Sequence, residues 1–246
     1  MTKIERKIQQ LKKLPPANTL VELAMAVKDD SKITSQNINR LRQTCNDIAD
    51  LIAETYYKDS FYSILRKFKN KALSNSTNFN QLLNALVKES PRIVVSMANS
   101  RMGVGGRANE ILYRKLLEGS GLVFGKDFKK VSGRGKDLEI ISRKTGNKLL
   151  VEIKSLKVRE RGARTGADRK VPSILAGFFD DPREFGIEQV KEMNRVYGAV
   201  YLPPTTLKGI NEQSKRIRKS KNKPLLRSNR SFAKEIKKFV LSGETL

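Results

Sequence analysis

Apolar residues in the first hundred positions recur at the three- and four-residue spacing of amphipathic helices. One series is Leu20, Leu23 and Val27, and a second is Ile38, Leu41, Cys45, Ile48 and Ile52. Residues three and four apart lie on one face of a helix, so each series predicts a helix with a buried face. Ser31 and Thr34 are suited to cap the second helix. The polar run 75–78 predicts a loop, and residues 1–100 are interpreted as an all-α domain.

The hydrophobic period changes in the second part of the chain. The glycine-rich segment 101–107 is expected to be the junction to a second domain, 101–246, which begins with a helix over 108–118. Leu138, Ile140 and Ile141 predict one strand, 143–147 has the composition of a hairpin turn, and 149–156 predicts a second strand. Helical stretches are expected after residue 170, then a short strand at 199–202 and a basic tail from Thr205 to Lys238. This mixture predicts an α/β domain.

The charge of the chain indicates a polyanionic partner. There are 50 Lys and Arg against 25 Asp and Glu, a net charge of +25. Residues 1–100 contribute +7 and residues 101–246 contribute +18. Such an excess indicates a polyanionic partner, usually nucleic acid; an anionic membrane surface is the competing polyanion. No run of 18 apolar residues and no secretory leader is present, so we expect no membrane partner and a cytoplasmic location.

The scarcity of histidine and cysteine excludes several kinds of site. The chain has no histidine and a single cysteine, Cys45. It therefore cannot form an intramolecular disulfide, a cysteine-based zinc site, or a Ser-His-Asp or Cys-His catalytic group. Any hydrolytic chemistry would have to use carboxylates, lysine and a metal that prefers oxygen ligands.

One acid–base group stands out in the predicted hairpin. The period of two along the second strand places Glu152 and Lys154 on one face and Val151 and Ile153 on the other. The hairpin brings Asp137, at the start of the preceding strand, alongside them. Two converging carboxylates repel each other unless a cation lies between them, and Mg²⁺ prefers such ligands. The alternative is an edge hairpin whose outer face carries a salt bridge.

These residues resemble the motif of the PD-(D/E)XK nucleases. Asp137 is separated by fourteen residues from Glu152-Ile-Lys154, and Lys136 stands where proline is usual. The resemblance covers about residues 103–202 and implies a restriction-endonuclease-like mixed β-sheet flanked by helices. It also implies that Asp137 and Glu152 bind Mg²⁺ and that Lys154 positions or polarises the attacking water. Glu110 would be an auxiliary acid; the alternative is an ion pair with Arg114 on a solvated helix face.

The basic segment 157–170 carries a second resemblance. Arg159-Glu160-Arg161, with Asp168 eight residues beyond Glu160, is similar to a group in restriction endonucleases of the NgoMIV and EcoRII kind. Those enzymes read CCGG or CC-N-GG cores. The resemblance implies a DNA-reading loop and makes Asp168 either a metal-site acid or a loop residue. The predicted DNA contacts are Arg159, Glu160, Arg161, Arg164, Arg169 and Lys170. A basic loop that contacts only phosphates is the alternative.

The expected function is that of a type II restriction endonuclease. Such an enzyme would be a homodimer that hydrolyses both strands of a short palindrome, in a CCGG context, to 5′-phosphate and 3′-hydroxyl ends. Residues 1–100 would then be an accessory domain for dimerisation or DNA binding. Two alternatives stay open: a structure-specific or transposition-linked nuclease with the same core, and a non-catalytic nucleic-acid-binding protein.

Overall fold

The computed structural model describes residues 8, 10–11, 13–72, 74–131, 136–154, 171–219 and 223–244. Its first named elements are the helices α1 (Ala17–Val27), α2 (Ile38–Arg66) and α3 (Ser76–Gly119). Strands and helices then follow in this order: β1 (Phe128–Lys130), β2 (Leu138–Ile141), β3 (Lys148–Lys154), β4 (Ser173–Gly177), a 3₁₀ turn (Pro182–Phe185), α4 (Ile187–Val196), β5 (Val200–Leu202), α5 (Pro204–Gly209), α6 (Glu212–Lys215), β6 (Leu226–Ser228) and α7 (Asn229–Ser242).

The chain divides into two compact units. The helical unit comprises residues 1–31 and 43–108, and the sheet unit comprises residues 32–42 and 109–246. The division falls inside α2 and inside α3, where Ala108 is the last residue of the helical unit. Across the described residues, no helix is both long enough and apolar enough to span a membrane.

The amphipathic pattern of the first hundred residues is confirmed by the buried positions. Each member of the second predicted series is buried, from Ile38 to Ile52, and so is Leu20 on α1. Thr34 caps α2 as expected: its N–H donates to Asn37 Oδ1 (2.7 Å), and its Oγ1 accepts from the Asn37 N–H (3.3 Å). This reciprocal pair satisfies backbone donors that a helix start leaves open.

Two expectations about where helices begin are wrong in α3, although the division into units falls beside the expected junction, at Ala108. The run 75–78 is the start of this helix rather than a loop, because Asn75 Oδ1 accepts the Thr77 N–H (2.9 Å) and so acts as an N-cap. The glycine-rich segment 101–107 is helical as well. Glycine costs roughly 1 kcal/mol per position in a helix. Burial of Leu112, Tyr113 and Leu116 one to two turns later offsets that cost.

A mixed β-sheet organises the second unit. Among the described residues six strands pair in the order β1-β2-β3-β4-β5-β6. The pairs from β1 to β3 are antiparallel, whereas those from β3 to β6 are parallel. β3 therefore lies inside the sheet, with β2 on one side and β4 on the other. This excludes the alternative in which the hairpin is a sheet edge.

Helices cover both faces of the sheet, which is the predicted α/β architecture. On one face, Val200 and Leu202 of β5 pack with Val190 and Met193 of α4 in one buried cluster. On the other face, the Tyr201 ring packs against Phe232 of α7 at a centroid distance of 5.2 Å. Successive strand residues point to opposite faces, so β5 contributes to both layers.

The region after residue 170 departs most from the sequence prediction. β4 lies where helical stretches were expected, and all five of its residues are buried. The segment 205–238 is not a tail, because it contains α5, α6, β6 and most of α7. Phe232, Ile236 and Val240 recur at a spacing of four on α7 and are buried. Four lysines and arginines lie between the apolar positions of α7 and obscure its apolar face in the sequence.

Candidate active site

Asp137 and Glu152 meet where the antiparallel strands β2 and β3 adjoin. The Asp137 N–H donates to the Val151 carbonyl (2.9 Å), which continues the ladder one residue before β2 begins. The Asp137 Oδ2 then accepts the Ile153 N–H at 2.6 Å. The strand pairing therefore holds the Asp137 carboxylate beside the end of β3, as the hairpin pattern predicts.

Glu152 is more deeply buried than the alternation of β3 predicts. The strand is covered on both faces, and Glu152 is only 1% exposed. Its Oε1 lies 3.0 Å from Lys154 Nζ, and its Oε2 accepts a hydrogen bond from the Tyr197 hydroxyl at 2.7 Å. Lys154 itself is 34% exposed, so its ammonium group lies at the boundary between the core and solvent.

Tyr197 is a site residue that the sequence did not reveal. It follows α4 as its C-cap residue and is 1% exposed. Leu175 of β4 belongs to the same buried cluster as Tyr197, and it lies directly beside Glu152 in the parallel register. Residues paired in register share a face, so the tyrosine and the glutamate meet on the α4 side of the sheet. No local spacing connects residues 45 positions apart.

Gly177 allows the chain to approach Lys154 closely. It is paired with Lys154 in the β3–β4 register. A Cβ atom at position 177 would lie about 2.5 Å from the Lys154 carbonyl oxygen and would overlap the Phe179 ring. Any larger residue would therefore push β4 away from the strand that carries the lysine. The glycine is required here by space rather than by backbone conformation.

The electrostatics of Asp137 differ from those of an ordinary surface aspartate. Burial raises the pKa of its carboxyl group, and the nearby charges of Glu110 and Glu152 raise it further. The hydrogen bond from the Ile153 N–H and the charge of Lys154 act in the opposite direction without reversing the shift. Negative charge at this point is therefore costly unless a cation approaches.

Glu110 approaches this group from α3. Its Oε2 lies 2.9 Å from Lys130 Nζ on β1, and its side chain is 28% exposed. Arg114, the alternative partner in the sequence, instead lies 3.7 Å from Glu118. Glu110 is close enough to Asp137 to raise the pKa of that carboxyl group. The structure thus brings Asp137, Glu152 and Lys154 together, and Glu110 acts on Asp137 through its charge.

The chemistry of these side chains fits a hard divalent cation. Among the described residues, no group of three or more Asp, Glu, Cys or His side chains could hold a metal ion. Mg²⁺ does not need such a cage, because it keeps several waters and binds one or two carboxylates together with substrate phosphate. The donor set supports the fit: the strand pairing holds the Asp137 carboxylate beside Glu152, and a cation would offset the burial and like charge that raise the pKa of Asp137.

The predicted DNA-reading loop lies outside the described residues. This applies to Arg159, Glu160, Arg161, Arg164, Asp168, Arg169 and Lys170. Their predicted roles in base reading, phosphate contact and metal binding therefore stay predictions.

Comparison with solved structures places this architecture among known folds. The chain aligns with the restriction endonuclease PspGI in its substrate DNA complex, with a TM-score of 0.54, 18% identity and 98% of each chain covered. Metal-depleted Ecl18kI in complex with uncleaved, modified DNA gives a TM-score of 0.65 and 16% identity, over 96% of this chain and 82% of that one. The fold is that of a restriction endonuclease.

A second structure of metal-depleted Ecl18kI, with uncleaved DNA, gives a TM-score of 0.65 and 14% identity. It covers 96% of this chain and 83% of the other. No protein-family model matches the sequence, and no curated protein matches it. The predicted restriction-endonuclease-like sheet flanked by helices, preceded by a helical region, is confirmed.

Proposed function

We propose that this chain is a magnesium-dependent, sequence-specific endonuclease of double-stranded DNA, a type II restriction enzyme. It would leave 5′-phosphate and 3′-hydroxyl ends. The observation that carries this proposal is the meeting of Asp137, Glu152 and Lys154 at adjoining strand ends of a restriction-endonuclease fold. The structures of PspGI and Ecl18kI with DNA support the choice of substrate.

Each site residue has a distinct part in the proposed reaction. Mg²⁺, when bound, supplies positive charge that polarises the phosphoryl group and lowers the pKa of a water molecule. Asp137 and Glu152 hold the ion through carboxylate oxygens, which requires Asp137 to be ionised. Lys154 carries its ammonium group on the Glu152 face, where it stabilises negative charge that develops on the phosphate or holds the attacking water. Burial of Glu152 keeps bulk solvent from weakening these interactions.

DNA recognition is proposed to depend on the segment 157–170. Arg159 and Arg161 would donate to guanine O6 and N7, and Glu160 would accept from the cytosine amino group, in a CCGG-containing palindrome. Arg164, Arg169 and Lys170 would contact phosphates, and Asp168 would be a further metal-site acid. The charge of residues 101–246, +18, supports a polyanionic substrate.

A homodimer is proposed, because cleavage of both strands of a palindrome by one small domain requires two copies. On α3 the exposed large apolar side chains are Phe79, Leu83, Val87, Val94, Val95 and Met102. The helical period of about 3.6 residues places all six within one half of the helix circumference. Apolar stripes of this kind mark interaction surfaces, so the helical unit is proposed as the dimerisation domain. Sedimentation of Leu83→Glu/Val87→Glu should show a monomer; an unchanged dimer would contradict this surface.

Digestion of a plasmid with Mg²⁺ or EDTA tests the activity. Discrete fragments that need Mg²⁺ support the proposal, and Lys154→Ala should abolish them. Lys148→Ala is the matched control, since Lys148 lies at the other end of β3 and pairs with Glu139 (3.4 Å).

Random or junction-specific cutting would favour a structure-specific or transposition-linked nuclease. DNA binding without any cleavage would favour a non-catalytic DNA-binding protein, and discrete cutting would fit a prokaryotic, cytoplasmic restriction–modification system.

A further inference from the structure

The Tyr197 hydroxyl makes a hydrogen bond with the least exposed part of the candidate site. It donates to Glu152 Oε2 at 2.7 Å, and both residues are 1% exposed. At Oε2, therefore, water does not readily replace this donor, whereas Oε1 lies beside the partly exposed Lys154. The ring of Tyr197 is fixed within the apolar cluster that includes Val190 and Met193 of α4. The hydroxyl therefore has little freedom to move away from the carboxylate.

The two oxygens of Glu152 have partners of different kinds. Lys154 Nζ lies 3.0 Å from Oε1, whereas Tyr197 donates to Oε2. The contact with the lysine is an ion pair, whereas the tyrosine makes a directional hydrogen bond that limits rotation of the carboxylate. The lysine is 34% exposed, whereas the tyrosine is 1% exposed and packed within the apolar cluster. The tyrosine is thus a constraint on the Glu152 carboxylate that does not depend on where the lysine lies.

We propose that Tyr197 is a positioning residue, which orients the Glu152 carboxylate for a divalent cation. This inference rests on the proposed function. Groups that hydrogen-bond to a metal ligand set its direction, and their loss typically weakens metal affinity about 10- to 100-fold. Tyr197 would act only through Glu152, without touching the DNA or the reacting phosphate.

A second buried tyrosine provides a control with the same chemistry. The Tyr201 hydroxyl donates to Glu235 Oε2 at 2.8 Å, on the opposite face of β5 against Phe232. Tyr201 is fully buried, as Tyr197 is. Glu235 also pairs with Arg227, so this carboxylate already has a cation. Removing the Tyr201 hydroxyl deletes an equivalent bond from a part of the sheet that has no proposed metal.

The test is a titration of the full-length protein with Mn²⁺ in the absence of DNA. Binding is measured as the loss of the free Mn²⁺ signal in electron paramagnetic resonance. Tyr197→Phe should weaken Mn²⁺ binding about 10- to 100-fold, whereas Tyr201→Phe should leave it unchanged. In cleavage assays, Tyr197→Phe should raise the Mg²⁺ concentration needed for half-maximal rate more than it lowers the rate at saturating Mg²⁺. Equal Mn²⁺ affinity for wild type and Tyr197→Phe would overturn the proposal.

A double variant separates positioning from a general effect on the fold. In a Glu152→Gln background, Tyr197→Phe should cause little further loss of Mn²⁺ affinity, because the residue acts through the Glu152 carboxylate. An equally large loss in that background would overturn the role. If Tyr197→Phe alone does not fold, Glu152→Gln is compared with the double variant instead. The Glu152→Gln substitution replaces the buried carboxylate by a neutral amide, so loss of the tyrosine hydroxyl no longer leaves a buried charge without a donor. Metal binding without cleavage in the wild type would refute the nuclease function and leave this inference standing.

Discussion

Two aspartates lie at opposite ends of the β1–β2 pair, and their surroundings differ. Asp127, before β1, is fully buried and accepts two hydrogen bonds of 2.6 Å from the Arg143 guanidinium and one of 2.8 Å from the Val123 N–H. Asp137, before β2, accepts one hydrogen bond from a backbone N–H and lies near Glu110 and Glu152. One carboxylate is neutralised by its neighbours, whereas the other has acidic neighbours.

The pKa values of the two groups move in opposite directions. The hydrogen bond from Arg143 lowers the pKa of Asp127, despite burial. Burial raises the pKa of Asp137, and Glu110 and Glu152 add to the shift. Asp127 therefore stabilises the fold in its charged form, whereas the charge of Asp137 is unfavourable in the protein alone. A carboxylate of the second kind is suited to bind a cation, and this difference separates a structural acid from a candidate catalytic one.

Alanine substitutions should separate the two aspartates most clearly. We expect Asp137→Ala, like Lys154→Ala, to reduce cleavage on the order of a thousandfold or more, because metal and lysine act mainly on the transition state. Thermal unfolding and DNA binding of Asp137→Ala should stay close to those of the wild type. Single-turnover cleavage of a cognate duplex measures the rate. A near-normal rate for either variant would show that the site is assigned wrongly.

Asp127→Ala should have the opposite effect. Arg143 would lose a buried partner, so we expect the free energy of unfolding to fall by about 2–3 kcal/mol. Arg143 is itself 41% exposed and can be partly rehydrated, which limits the loss. Cleavage by the folded fraction at low temperature should be within a few-fold of wild type. Urea unfolding measures the effect, and an unchanged midpoint would mean that this ion pair does not stabilise the sheet.

The pH dependence of stability should also differ between the two positions. An unfolded aspartate titrates near 3.9. Because the pKa of Asp137 is raised on folding, its ionisation lowers the free energy of unfolding. This loss of stability is absent below pH 3.9 and complete once the pH exceeds the pKa of Asp137 in the folded protein. Asp137→Asn should therefore become more stable than wild type as pH rises from 4 toward 8, when no metal is added.

Asp127 provides the control for that pH series. Its pKa is lowered on folding, so its contribution is complete above pH 3.9 and is lost only as pH falls through the folded pKa. The stability difference between wild type and Asp127→Asn should thus be flat from pH 5 to 8. Addition of Ca²⁺ or Mg²⁺ should stabilise wild type and not Asp137→Asn. Parallel pH curves for the two asparagine variants would refute the contrast between these aspartates.

The local part of the site could be predicted from the sequence, because a hairpin and a strand period involve neighbours in the chain. Asp137, Glu152 and Lys154 meet as the pattern indicates. Tyr197 could not be found this way, because a parallel register and a helix connect it to Glu152 across 45 residues. Local sequence contains no signal for that contact.

The errors in the fold have physical causes as well. The helix after the glycines of 101–107 was expected to begin at residue 108, yet α3 continues through the glycines because later turns are buried. β4 is a run of five residues, too short for its period to be distinguished from a helix. In α7 four basic residues alternate with the five apolar ones that face the core, so the segment has the composition of a basic tail. In each case tertiary burial outweighed local preference.

The smallest expected effect concerns Glu110, whose charge connects α3 with the Asp137 carboxylate. Removing that charge by Glu110→Gln should lower the pKa of Asp137, because Glu110 contributes to raising it. Since Asp137 must be ionised to bind metal, the acidic limb of the pH–rate profile should move to lower pH. Lys130 already forms an ion pair with Glu110 and offsets part of its charge, so the gain in cleavage rate at low pH should be roughly twofold, about 0.5 kcal/mol.

Glu118→Gln, two turns along α3, is the control and should leave the pH–rate profile unchanged. A uniform fall in rate at every pH, with weaker Mg²⁺ binding, would instead identify Glu110 as an auxiliary acid at the metal.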